Sequence, residues 1–162
     1  MKLTRRSSLV MLGSAAAMVA LPKGVAAQNG GTVHEVKMRN FDPDDRSNVM
    51  IYEPAVLRIE PGDTVKFVST DPGHNAVSHE DMIPEGAESF KTPLSRDAEV
   101  TFDVPGTYGY YCLPHRAVGM WGVVLVGDFM VNFEQVKQAA EQIRGRGKQR
   151  MAEYLKQAEQ MA

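Results

Sequence analysis

Nine residues, Cys112-Leu113-Pro114-His115-Arg116-Ala117-Val118-Gly119-Met120, carry a thiol, an imidazole and a thioether on one short stretch. A second imidazole, His74, follows the turn signal Asp71-Pro72-Gly73. Two imidazoles, one thiolate and one thioether are the donors of a blue, type 1 copper centre. The mixture suits that ion in both of its oxidation states. Thiolate and thioether favour Cu(I), imidazoles also suit Cu(II), and a strong trigonal plane with a weak axial sulfur lets both share one geometry. Electron transfer then needs little rearrangement.

Each of these residues taken alone has a plainer reading. A lone cysteine is most often a small buried hydrophobe, a glycine followed by methionine is most often packing, and a histidine after a turn needs no ligand. Their convergence with the features below is what favours a metal. His34, on an alternating segment, and His79, before Glu80-Asp81, have no such company and read as structural or solvated. A copper oxidase or reductase would need further histidine ligands, and only these two are left over. A Cys–His thiol hydrolase would use Cys112 as nucleophile with His74 or His115 as base, and would be colourless with copper. A copper chaperone or store would bind Cu(I) but cycle poorly.

The elements that would position these donors can be read from periodicity. The 162 residues are 43% hydrophobic and 23% charged, enough for one globular domain and unlike a disordered or collagenous chain. Eighteen Lys+Arg against 20 Asp+Glu give a net −2, which excludes a general nucleic-acid binder. The single cysteine excludes an internal disulfide framework and a four-cysteine zinc site. Turn signals at Pro61-Gly62-Asp63, Asp71-Pro72-Gly73, Pro84-Glu85-Gly86 and Pro105-Gly106 separate short runs of alternating polarity. Alternation at Leu57–Ile59, Val65–Phe67 and Ala98–Phe102, together with the segments Val33–Met38, Met50–Tyr52, Tyr108–Cys112 and Val123–Val126, predicts an all-β sandwich of about eight strands. Helical periodicity begins only at Phe133, with Val136, Ala139, Ala140 and Ile143 on one face and Asn132 with Gln135 as the expected N-terminal cap. Gly145-Arg146-Gly147 is expected to break that helix. A second then carries Met151, Leu155 and Ala158 on one side. The pair should lay its apolar faces on the sandwich, because helices this short are unstable alone. The expected division is 1–27 as an export segment, 28–129 as the sandwich and 130–162 as the helical hairpin.

Residues 1–27 hold Lys2, Arg5, Arg6 and Lys23 and no acidic residue. A thirteen-residue apolar run from Leu9 to Leu21 is too short to span a ~30 Å hydrocarbon core but suits a signal peptide. Val25-Ala26-Ala27 offers small residues for cleavage before Gln28. Thr4-Arg5-Arg6 resembles a twin-arginine signal, although Ser8 stands where a bulky apolar residue is preferred, and an ordinary secretory signal is the alternative. Loss of the four basic residues leaves 14 against 20, a net −6. The expected location is the periplasm, with no membrane attachment after cleavage.

Gly106-Thr107-Tyr108-Gly109-Tyr110-Tyr111-Cys112-Leu113-Pro114-His115 and the spacing Cys-x2-His-x4-Met resemble the cupredoxins. Within them, Tyr52-Glu53-Pro54-Ala55, Gly62-Asp63-Thr64-Val65, Gly73-His74-Asn75, Asp81–Ala87, Val126-Gly127-Asp128 and the helical pair resemble the pseudoazurins. The resemblance covers roughly 33–160. It implies a cupredoxin-like Greek-key β-sandwich and a monomeric one-electron carrier rather than an enzyme. It also implies one copper ion held by His74, Cys112, His115 and Met120, with Asn75 and Pro114 around it, the Asn75 amide bonding the Cys112 sulfur. Electrons would pass at the edge of His115 through a patch that includes Met50, Pro114 and Val118, with Lys91 beside it. Implied partners are nitrite reductase or another periplasmic reductase, with a cytochrome as donor. Pro72, Tyr111 and the acidic run Asp42–Asp45 stand where the resemblance implies lysines, so Lys91 and Arg116 are the positive charges expected near His115 and steering by charge should be weak. Protein recovered from the periplasm should begin within two residues of Gln28, as N-terminal sequencing would show. Replacing Arg5 and Arg6 together by lysine should stop export, whereas unaltered export assigns the ordinary secretory route.

Overall fold

The computed structural model describes residues 31–162. The expected export segment 1–27 lies outside them. Alternating stretches of the sequence form eight strands: β1 Val33–Phe41, β2 Val49–Glu53, β3 Val56–Ile59, β4 Asp63–Val68, β5 Val77–Ser78, β6 Ala98–Phe102, β7 Gly106–Tyr111 and β8 Trp121–Val126. Two helices follow, α1 Phe133–Glu141 and α2 Gly145–Glu159. One sheet has the order β2-β1-β4-β6 and the other β3-β8-β7-β5. Pairs β1–β4 and β3–β8 are parallel, and the remaining pairs are antiparallel. Only β1–β2 and β7–β8 are successive strands within one sheet, and the chain changes sheet at each of the five steps from β2 to β7. The result is a Greek-key sandwich.

Two apolar cores follow from period two. Val36, Met38, Val65, Phe67, Phe102, Tyr108, Tyr110, Val124 and Val126 meet between the sheets. On the far side of β8, Trp121, Val123 and Leu125 meet Phe129, Phe133, Val136, Met151 and Leu155 of the helical segment. All six residues of β8 are therefore buried, because both of its faces have a partner. A strand covered on both sides reads as a continuous apolar run.

Local differences from the sequence reading have physical reasons. β7 stops at Tyr111, and the amide of Cys112 donates to Met120 O at 3.0 Å, closing the ligand loop. β5 has only two residues and so little periodicity to detect. Asn132 does not cap α1 with its side chain. Its Oδ1 accepts from Thr107 N at 2.7 Å and its Nδ2 donates to Thr107 O at 2.9 Å, while Gln135 Nε2 donates to Asp81 O. Gly145-Arg146-Gly147 opens α2, since α1 has already ended at Glu141. Gly147 suits that place because a Cβ would come within 2.7 Å of Trp121 Nε1.

Asn132 thus serves the sheet rather than the helix. Asn132→Ala would strand both peptide groups of the fully buried Thr107, each costing about 1–3 kcal/mol. Urea denaturation should show a loss of about 2–6 kcal/mol for this variant. Gln135→Ala should cost well under 1 kcal/mol, its bond being exposed.

Candidate metal centre

His74 lies in the segment between β4 and β5 and is completely buried. Its Nε2 donates to Asn40 Oδ1 at 3.0 Å, which leaves Nδ1 as the free base. Its carbonyl accepts from Ser95 N. Burial holds this imidazole below the usual histidine range; His115 adds to the effect and Asp71 opposes it. Neutral imidazole is the form that binds a metal.

Next along the chain, Asn75 is 3% exposed and uses every polar atom of its side chain. Oδ1 accepts from Leu113 N at 3.0 Å, and Nδ2 donates to Thr92 O at 3.3 Å. The hydroxyl of Tyr52 donates to Asn75 O at 2.6 Å. Thr92 also braces Ala76, through bonds of 2.8 and 2.9 Å.

The second loop runs from β7 to β8. His115 N donates to Cys112 O, and Met120 N donates to His115 O at 3.1 Å. Cys112 and Met120 are fully buried and His115 is half-buried. Burial pushes the Cys112 thiol up, opposed by the backbone amides of Asn75 and His115. Those amides favour the thiolate.

Across the two loops, His74 Nδ1 and His115 Nδ1 are 3.1 Å apart. Cys112 Sγ stands 3.5 Å from His115 Nδ1 and 3.8 Å from His74 Nδ1. A first-row ion sits about 2.0 Å from imidazole nitrogen and about 2.3 Å from thiolate sulfur, so donors sharing one stand about 3–4 Å apart. These residues therefore fit a metal. His74, Cys112, His115 and Met120 form the pattern of a type 1 copper site, and the sulfur donors favour copper over harder ions. His34 bonds Asp63 Oδ2 at 2.9 Å, and His79 stacks beside Tyr111 and Trp121, both away from the cluster.

On the loop of half-buried His115, Leu113 and Val118 are 51% and 46% exposed and Pro114 is exposed; half-buried Met50, in β2, packs against the core that includes Cys112 and Met120. Lys91 is exposed and bridges Val77, whose other neighbour is Tyr111. Arg116 lies over the Tyr111 ring, 4.4 Å from its centroid. Sequence reasoning placed Arg116 here but missed Arg144, which shares a groove with Leu113, Pro114, Arg116 and Ala117. It also missed Arg146, which packs on Gly119. Both arrive with the helical pair, and no local signal in the sequence ties them to this loop. Asn40, Tyr52 and Thr92 were missed for the same reason.

Residues 41–127 match the copper binding proteins of the plastocyanin/azurin family. The chain is 41% identical over 129 residues to the pseudoazurin of Paracoccus pantotrophus, covering 80% of this chain and 84% of that one. The crystal structure of pseudoazurin from Methylobacterium extorquens AM1 superposes with a TM-score of 0.72 at 37% identity, covering 78% of this chain and 98% of the other. Native pseudoazurin from Hyphomicrobium denitrificans gives 0.71 at 36% identity, with coverages of 78% and 98%. The matched span contains His74 and the entire ligand loop, and the chain belongs to the plastocyanin/azurin family of copper-binding electron-transfer proteins, on its pseudoazurin branch.

Proposed function

We propose that this chain is a periplasmic one-electron carrier that shuttles between a cytochrome donor and a denitrification enzyme such as copper nitrite reductase. The reading rests on one observation: two imidazoles and a thiol, from two loops, lie within 4.8 Å of one another, with His74 and Cys112 buried and His115 half-exposed. Copper held by His74, Cys112, His115 and Met120 supplies a one-electron couple. His74 is anchored through Asn40 and sealed by the fold. Cys112 is held by the Met120 carbonyl behind it and by the Leu113–Asn75 bond ahead. Fixed donors of this kind keep reorganisation small in either oxidation state. His115 is the outlet: it is the ligand left half-exposed, and Leu113, Pro114 and Val118 on its own loop are exposed. Apolar contact there excludes water from the path between partners, and Arg116, Arg144 and Lys91 favour an acidic partner. Periplasmic residence is supported by the resemblance and by the character of residues 1–27.

Two outcomes are expected. One equivalent of Cu(II) should turn the protein blue or green through Cys112 thiolate-to-copper charge transfer, with copper near 1:1 by elemental analysis. Cys112→Ser should be colourless even where metal still binds, and an intensely coloured serine variant would falsify the site. At the docking surface, Val118→Lys should slow electron transfer to an acidic nitrite reductase more than Lys91→Ala does. Stopped-flow measurement at 1 M salt, where the Debye length is about 3 Å, isolates the apolar contribution. Equal rates for both variants would move the outlet away from Val118.

A further inference from the structure

Helix α2 sends one cation into the body of the protein. Arg150 is 6% exposed, and no carboxylate among the described residues pairs with it. Its partners are four neutral oxygens. Nη1 donates to Met50 O and Gly119 O, both at 2.7 Å. Nη2 donates to Asn48 Oδ1 at 2.6 Å and to Val49 O at 2.8 Å. A planar fork of donors matches this cluster of carbonyls, and a lysine could serve only part of it.

The two Nη1 acceptors come from different segments, Met50 from β2 and Gly119 from the ligand loop. Gly119 immediately precedes Met120, whose own amide and carbonyl are bonded to His115 and Cys112. Gly119 has φ +89°, and a Cβ there would come within 3.1 Å of the backbone of Arg146. The first turn of α2 therefore presses on the ligand loop, and Arg150, one turn later, holds its carbonyl. Met50 has φ +52°, a left-handed conformation that non-glycine residues rarely adopt, and its carbonyl is the other one held. Mere attachment of α2 would not require a buried charge, because Met151, Leu155 and Ala158 already bury its apolar face.

We propose that Arg150 is a positioning residue of the electron-transfer site: through the carbonyls of Gly119 and Met50 it sets where Met120 and the surface beside His115 are held. The inference rests on the copper reading above. That reading fails separately, if the unaltered protein takes up copper without colour.

Arg150→Met keeps the stem and removes the donors, Arg150→Lys keeps the charge with fewer donors, and Leu155→Ala loosens α2 without touching the loop. In the metal-free protein, hydrogen exchange at the Met120 amide should speed up about tenfold in Arg150→Met, less in Arg150→Lys, and not in Leu155→Ala. In the copper-loaded protein, both Arg150 variants should change the ratio of the thiolate-to-copper absorption bands and shift the reduction potential, the lysine variant less. Leu155→Ala should lower the melting temperature and leave both unchanged. Should Arg150→Met fail to fold, the lysine variant carries the comparison. A wild-type spectrum and potential in Arg150→Lys, with unchanged exchange at Met120, would overturn the proposal. So would a lowered potential with an unaltered spectrum in Arg150→Met, which would report only the loss of a buried charge.

Discussion

A single hydrogen bond between loops, from the amide of Leu113 to Oδ1 of Asn75, governs how the two halves of the metal site face each other. His74 and Cys112 are 38 residues apart in sequence, yet their donor atoms stand 3.8 Å apart. Neither loop could hold that distance alone, since each is irregular backbone at the end of a sheet. Asn75 joins them because its amide has an acceptor and a donor end, and each reaches a different segment. Half-satisfying a buried amide costs about 1–3 kcal/mol, so the arrangement has one strongly favoured form. Tyr52 extends the same bracing to β2 through the carbonyl of Asn75. The histidine, the thiol and the strand behind them consequently move together or not at all.

Rigidity at the loops needs rigidity beneath them. β8 supplies it, being packed between the opposite sheet and the two helices along its whole length. Trp121 is the first residue after Met120 and is 1% exposed, so the downstream end of the ligand loop enters the core at once. Truncating an aromatic side chain in such a place typically costs about 3–5 kcal/mol. The upstream end is held in turn by β7, whose Tyr110 packs edge-on against Tyr52 and Phe67. The helices thus form a third layer behind the metal loop, and Arg144 and Arg146 reach the edge of that loop from it.

The sandwich was legible because strands that cover a core on one face alternate, and most of these do. β8 was legible as the strand segment Val123–Val126, and the helical pair as a change of period from 2 to 3.6. Cys112, His115 and Met120 stood out because a thiol, an imidazole and a thioether so closely spaced are uncommon, and His74 because it follows a turn signal; the structure brings the donor atoms of His74, Cys112 and His115 together. The residues that fix them did not stand out. Asn40, Tyr52, Thr92 and Arg150 make their bonds across 34, 23, 16 and 31 or more positions. Their chemistry is ordinary until folding sets them beside a loop. Asn132 shows the reverse error. A side chain suited by type to cap a helix was taken by a deeper demand, the buried peptide groups of Thr107. Local preference proposes such roles, and long-range polar satisfaction decides them.

One of the two histidines is sealed inside and the other is half-open, which has a consequence for traffic. In the proposed role, a carrier with a single doorway cannot stand between two clients and conduct. It must release the first before meeting the second, so every delivery contains two dissociations. To keep pace with an enzyme turning over about 10²–10³ times per second, each complex must fall apart at least that fast. With association at about 10⁷ M⁻¹s⁻¹, the dissociation constant then sits at roughly 10–100 μM. Strong binding would be a fault in such a molecule. A small apolar rim with a few arginines, rather than a broad interlocking face, is what loose and frequent encounters require.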